Sequence, residues 1–451
     1  MNTSLIPPWL CIPFAGLLLC VALLPLIRAE WWERHRMPVV IFWILAFVIP
    51  YAALYGAGDA AEVVLESILN DYLSFIVMLL GLFCVAGNIT FREDLAGSPQ
   101  VNVLFIAIGT LLSSVIGTTG SSMLMVRPLI KMNSWRRRKR HIMIFFIFLV
   151  SNMGGCLSPL GDPPLLMGFM RGVPFLWSAH LAPILLFNMV LMLTLFWLID
   201  ERQYKKDMAE GLRPTLTTLW TELRLEGAHN LLFLLVIVAA VVLSGTLPGM
   251  PAFQNPDGTV KGIRVFGEVT LGWPTVIEIV MILAAAFFSL KTTPESIRRT
   301  NHFTWGPIQE VAELFVGIFI TMQPALMLLK ELGPKLGLSR PWEMFWATGM
   351  LSSVLDNTPT YLVFLTTAGT LGLTGGVLTT LGDIPVELLE AISCGAVFMG
   401  AITYIGNAPN FMVKSISDEN GIRMPSFFGY ILWSLACLVP VFLIDTLVFF
   451  Q

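Results

Sequence analysis

Few side chains in this apolar sequence could do chemistry, and those that could are oxygen donors: Asp162, Asp356, Ser151, Asn152, Thr358 and Asn407. A dehydrated sodium ion takes hard oxygen ligands from carboxylates, hydroxyls, amide carbonyls and backbone carbonyls freed at an unwound helix. This set supplies such groups. A desolvated carboxylate without a permanent partner can also hold a proton in place of the cation, and competition for one site is antiport in its simplest form.

Most of the set lies in Ser151-Asn152-Met153-Gly154-Gly155-Cys156-Leu157-Ser158-Pro159-Leu160-Gly161-Asp162-Pro163-Pro164, between the apolar runs Ile142 to Val150 and Leu165 to Met170. The stretch reads as a membrane helix interrupted halfway across. Its glycines and prolines free backbone groups that hydrocarbon cannot satisfy, so the break must be buried in protein or line a polar cavity. A carboxylate at that depth costs roughly 2.5–3.5 kcal/mol on insertion scales and is functional by default. The plainer alternative makes Asp162 the N-cap of a half-helix starting at Pro163, which does not exclude ion binding, and gives Asp356 the same role. Ser113, Ser114, Ser352 and Ser353 read as small packing residues that let helices approach closely.

The elements that position these groups are transmembrane helices. With 451 residues, 56% hydrophobic and 13% charged, and a mean hydropathy of +0.77, the chain has too little polar surface for a soluble protein of its size. An integral, multi-pass protein in the lipid bilayer is expected. The basic residues are divided among short loops, and no nucleic-acid partner is expected. Cys11, Cys20, Cys84, Cys156, Cys394 and Cys437 sit in apolar runs without metal-ligand spacing and read as buried free thiols. No cofactor is expected beyond sodium as a transported or coupling ion.

Along the chain, residues 1–37 form a first span and a basic loop with Arg28, Arg34 and Arg36. Residues 38–199 follow as a first repeat, with a re-entrant hairpin at 101–131 turning at Gly117-Thr118-Thr119-Gly120 and the broken helix at 141–170. Residues 200–272 hold a charged cytoplasmic linker, Asp200 to Glu226, then a connecting helix and an external loop. Residues 273–451 form a second repeat, with a hairpin at 342–370 and a broken helix at 386–417. The basic run Arg136 to Arg140 reads as a topology determinant that holds its loop in the cytoplasm. Glu310 and Glu313, one turn apart, and Glu278 are candidate proton relays in apolar spans.

The halves resemble each other in three places. Leu112 to Gly120 aligns with Leu351 to Pro359, Gly155 to Pro164 with Gly400 to Pro409, and Leu80-Gly81-Leu82-Phe83 with Val316-Gly317-Ile318-Phe319. A single connecting helix starts the second repeat from the opposite side, so the repeats are inverted and a substrate site is expected where their broken helices meet. The fold class is an all-α polytopic membrane protein of two inverted repeats, each with a re-entrant hairpin and a broken transmembrane helix.

These residues resemble the ion transporter superfamily, which includes NhaD-type sodium/proton antiporters, arsenite-type permeases and sodium-coupled citrate and dicarboxylate carriers. Ser151-Asn152-Met153-Gly154-Gly155 with Ser158-Pro159-Leu160-Gly161-Asp162 is similar to the NhaD-type pattern, and Asp356-Asn357-Thr358-Pro359 matches the same antiporters' hairpin tip. Asp162-Pro163-Pro164 and Gly406-Asn407-Ala408-Pro409-Asn410 lean in part toward the dicarboxylate carriers, which have a neutral threonine at the position of Asp162. The resemblance implies ion and substrate binding by Thr118, Thr119, Ser151, Asn152, Gly155, Ser158, Gly161, Asp162, Asp356, Asn357, Thr358, Thr403, Gly406, Asn407 and Asn410. Asp162, Asn152, Asp356 and Asn407 are the expected sodium ligands.

The resemblance also implies a homodimer, an elevator-like movement and a bacterial inner (plasma) membrane location. Sodium/proton antiport is the expected function, with sodium-coupled carboxylate uptake as the alternative. An enzyme is disfavoured, since no nucleophile elbow is present and His35, His141, His180, His229 and His302 fall at span ends or in loops. A channel or a non-transporting assembly subunit is the remaining rival.

Overall fold

The computed structural model describes residues 6–92, 95–213, 224–301, 303–332, 335 and 337–451. Hydrocarbon forces a spanning backbone to pair its N–H and C=O groups internally. The described residues accordingly contain ten helices long and apolar enough to cross a membrane. Their strands form only three short two-stranded ladders, none of them closed into a barrel. The molecule is a helical, multi-pass membrane protein.

The first half comprises α1 (Ile12–Tyr55), α2 (Ala57–Glu66), α3 (Leu73–Gly87), α4 (Pro99–Ile116), α5 (Thr118–Met132), α6 (Arg140–Leu149), α7 (Pro163–Met170) and α8 (Ala182–Ala209). After α9 (Asn230–Thr246) the chain continues through α10 (Trp273–Thr292), α11 (Glu295–Thr300), α12 (Gly306–Thr321) and α13 (Gln323–Leu332). It closes with α14 (Pro341–Ser352), α15 (Asn357–Gly369), α16 (Val386–Met399), α17 (Ala408–Glu419) and α18 (Phe427–Val448). Local chemistry sets several starts: Ser98 Oγ accepts from Val101 N ahead of Pro99 on α4, and Ser426 Oγ accepts from Gly429 N at the head of α18.

Burial separates centre from perimeter. Within Arg140–Leu157, 89% of the residues are buried, against 17% for the second leg of α1, Glu30–Tyr55. A helix apolar all round belongs inside a bundle, and α6 is one, with every residue from His141 to Leu149 buried. Around this centre α4 packs on α5, α14 on α16, and α3 on α9 and α10. Phe75 stacks on Phe315 with ring centroids 4.7 Å apart, joining α3 to α12.

Two expected boundaries need correction. The basic loop ending at residue 37 is not a loop. The helix bends only at Arg28 (φ −146°, ψ 68°), three residues after Pro25, and residues 30–37 stay helical while Arg36 reaches Glu313 at 2.8 Å and Glu310 at 3.4 Å on α12. Those two acids, candidate relays by sequence, both pair with Arg36.

The charged linker also begins later than Asp200, because α8 continues to Ala209; residues 214–223 of that linker lie outside the described residues. Two turns apart on one face of α8, Asp200 and Asp207 turn inward to a fully buried Arg136 at 2.5 and 3.4 Å. Arg136 lies in the expected loop, between α5 and α6, but its side chain is buried. His141 lies at a span end as expected, second in α6, and is buried with Nε2 2.7 Å from Asp200 Oδ1; His302 lies outside the described residues. Of the cysteines, Cys84, Cys156, Cys394 and Cys437 are buried, while Cys11 and Cys20 are half-buried.

Candidate functional site

Two interrupted helices bring the site together. α6 stops at Leu149, a short 3-10 turn covers Met153–Leu157, and α7 starts at Pro163. In the other half α16 stops at Met399, a 3-10 turn covers Gly400–Ile402, and α17 starts at Ala408. The two gaps are built alike. Asp162 and Asn407 stand immediately before their half-helices with nearly equal backbone angles, φ −141°, ψ 139° and φ −145°, ψ 139°.

Close backbone approach explains the glycines in these gaps. A Cβ on Gly161 would lie 2.1 Å from Gly155 O, and one on Gly406 would lie 2.5 Å from Gly400 O. Ser158 Oγ donates to Ser114 O, and at the matching position Thr403 Oγ1 donates to Ser353 O at 2.5 Å. Each gap is thus tied to the neighbouring helix pair, α4–α5 or α14–α15. The turn between α4 and α5 needs a left-handed residue, supplied by Gly117 at φ +81°.

Asp162 is fully buried and central. Its Oδ1 accepts from Thr118 Oγ1 at 3.0 Å and from Asn407 Nδ2 at 3.2 Å, while Oδ2 accepts from Asn357 Nδ2 at 3.0 Å. It sits at the N-cap position of α7 yet makes no capping bond. The carboxylate is turned away from its own helix toward both hairpin-like pairs and the opposite gap. Asn407 Nδ2 also approaches Ser151 O at 3.1 Å and Asn152 Oδ1 at 3.3 Å. Asn152 Nδ2 donates to Asn410 Oδ1 at 2.7 Å, and Asn410 Nδ2 donates to Gly400 O and Thr403 O, both at 2.9 Å.

Most of the expected residues therefore join one network, but not all. Asp356 does what a cap does: its Oδ1 accepts from Thr358 N at 3.0 Å, and it does not touch Asp162. Thr358 Oγ1 is buried without a hydrogen-bond partner, and Thr119 stays outside the network among the described residues. Ser151 Oγ pairs with Ser122 Oγ at 2.8 Å. Asp356→Asn, which keeps the capping oxygen, is expected to change transport and thermal midpoint little, whereas Asp356→Ala should lose about 1 kcal/mol of stability; thermal unfolding in detergent of the two variants beside the parent checks this.

The serines read as packing residues do more than pack. Ser114 Oγ donates to Gly154 O, and the single hydroxyl proton of Ser352 is shared between Asn357 Oδ1 at 2.6 Å and Ala396 O at 2.7 Å. Ser352 thereby fixes the orientation of Asn357, whose amide points its N–H at Asp162. The repeated Leu-Ser-Ser run pairs Ser113 with Ser352 and Ser114 with Ser353, so Ser114 and Ser352 act from neighbouring rather than matched positions.

The arrangement has one carboxylate, a shell of amides and hydroxyls, and no cationic side chain within the network among the described residues. The first half supplies the carboxylate and the Thr118 hydroxyl, and the second half presents the amide N–H groups of Asn357 and Asn407 to that carboxylate. The family described as "Putative citrate transport" matches residues 3–450. No curated protein matches the chain.

Proposed function

The chain belongs to that citrate-transport family over nearly its whole length, and from this premise we propose a secondary active transporter that exchanges sodium for protons at Asp162 by alternating access. The observation that carries the reading is a buried carboxylate held by Thr118, Asn357 and Asn407 with no basic partner. A cation supplies the missing positive charge, and a proton removes the need for it.

Inverted repeats with re-entrant hairpins belong to the same proposal. Their support is the recurrence of the Asp162 and Asn407 backbone angles, of the Gly161 and Gly406 approaches, and of the Ser158 and Thr403 bonds. An elevator-like movement, a homodimer and a bacterial plasma membrane complete it. Single reporter cysteines at Ser134 and Ser415 should then be labelled from the cytoplasm, and ones at Asp59 and Asn255 from outside. Labelling of Ser134 and Asn255 from one side would refute the inverted arrangement.

The family description favours a second reading, sodium-coupled citrate uptake. An ionised Asp162 facing an anionic substrate at about 4 Å would repel it by on the order of 4 kcal/mol at an effective dielectric near 20, so this reading needs bound sodium first. Reconstitution with a pH-sensitive dye inside the vesicles, adding sodium, lithium, potassium and citrate in turn, separates the two. Antiport gives a dye response to sodium alone; uptake gives one only with citrate, or none.

A further inference from the structure

The basic run before α6 also lines a cavity of about 580 Å³ at the surface. Arg137, Arg138, Lys139 and Arg140 face Arg423 across it, and no carboxylate lies on its wall. Arg138 is committed to Asp207 at 2.8 Å and to Glu210, and Arg137 reaches Glu210 only at 3.6 Å. The other three cations lack an acid. Lys139 Nζ finds the backbone oxygen of Ser134 at 3.4 Å, Arg140 Nε donates to the backbone oxygen of Arg423 at 2.6 Å, and the Arg423 guanidinium has no partner among the described residues.

Arg140 also opens α6, where the helix dipole is positive. Cations there are disfavoured unless an anion joins them. The wall also includes apolar side chains, Ile199 from α8, Ile422 beside Arg423, and Trp433 from α18. A cationic mouth with an apolar flank and a tryptophan is the chemistry of a membrane interface. A soluble anion would leave Ile199 and Trp433 without a role.

We propose that this cavity binds the phosphate of an anionic phospholipid, with the headgroup against Lys139, Arg140 and Arg423 and an acyl chain along Ile199 and Trp433. The site joins the segment entering α6 to the segment leaving α17, so its occupant holds together one end of each interrupted helix. It is independent of whether the transported solute is sodium or citrate.

The test is native mass spectrometry of the full-length protein in detergent, with phosphatidylglycerol, phosphatidylcholine or soluble glycerol phosphate added separately. Phosphatidylglycerol should be retained in preference to phosphatidylcholine. The pair Lys139→Gln with Arg423→Gln should weaken that retention roughly tenfold without moving the lipid-free thermal midpoint. Arg423→Gln alone, which breaks no bond, should give part of the loss and guards against misfolding of the double variant. Equal retention of both lipids, indifference to the substitutions, or binding of glycerol phosphate but not of the lipid overturns the proposal.

Discussion

Asp162→Asn is expected to insert into the membrane at parental levels and to lose cation-dependent transport by on the order of several hundredfold. The size follows from the charge: at about 4 Å and an effective dielectric near 20, a carboxylate attracts a monovalent cation by about 4 kcal/mol, and each 1.4 kcal/mol is tenfold in affinity. Asn keeps the side-chain size, and Oδ1 can still accept from Thr118 and Asn407. Its new amide nitrogen, however, meets Asn357 Nδ2, which donates to Asp162 at 3.0 Å and is held in that orientation by Ser352. One donor facing another costs about 1–3 kcal/mol, so a modest fall in thermal midpoint accompanies the loss. Transport rates in vesicles beside detergent melting curves separate the two effects. Parental transport in this variant would leave Asp162 with a purely structural role.

How much of this was legible from the chain alone depended on distance along it. The interruption at Ser151 to Pro164 could be read because glycine and proline act locally on a helix, and the structure stops α6 at Leu149 and restarts at Pro163. The convergence of Asn357 and Asn407 on Asp162 rests on contacts 195 and 245 residues apart; only the matched order of motifs hinted at it. Asp356 and Asp162 looked equivalent, since both precede a helix. What separates them is where each carboxylate turns, toward its own helix at Asp356 and away from it at Asp162, which tertiary packing decides.

The charged segments were the least legible. A cluster of arginines beside apolar runs reads as a loop under any hydropathy rule, and Arg136 does lie in one, between α5 and α6; what such a rule does not show is that its side chain is buried. The missed signal was the spacing of Asp200 and Asp207, two turns apart on a helix that good helix formers such as Glu201, Arg202, Lys205 and Ala209 extend beyond the apolar span. Two acids on one face of such a helix require a buried cation, and Arg136 was available.

That cluster gives the second large effect. Asp200→Ala should cost about 3–5 kcal/mol, because removing one partner of a buried pair strands the other. Asp200 accepts from Arg136 at 2.5 Å and from Asn102 Nδ2 at 2.9 Å, with His141 Nε2 at 2.7 Å; without that carboxylate Arg136 keeps one acid, Asp207 at 3.4 Å, and the backbone oxygen of residue 200 at 3.4 Å. Domains of ordinary stability hold about 5–15 kcal/mol in all, so the variant should show sharply reduced monodisperse yield and an early melting transition. Arg136→Met in the Asp200→Leu background, which replaces both partners of the 2.5 Å pair by apolar groups and leaves Asp207 its Arg138 partner at 2.8 Å, should recover much of the loss. An unchanged melting curve for Asp200→Ala would mean that the network carries no net stability.

The central claim is that one buried carboxylate holds either sodium or a proton. It is tested most directly by adding sodium chloride to the purified protein in a lightly buffered, dye-containing solution and following proton release, with choline chloride as the ionic-strength control. The account predicts saturable proton release by sodium from the parent and none from Asp162→Asn. Sodium binding without proton release, or equal release from both proteins, would contradict it.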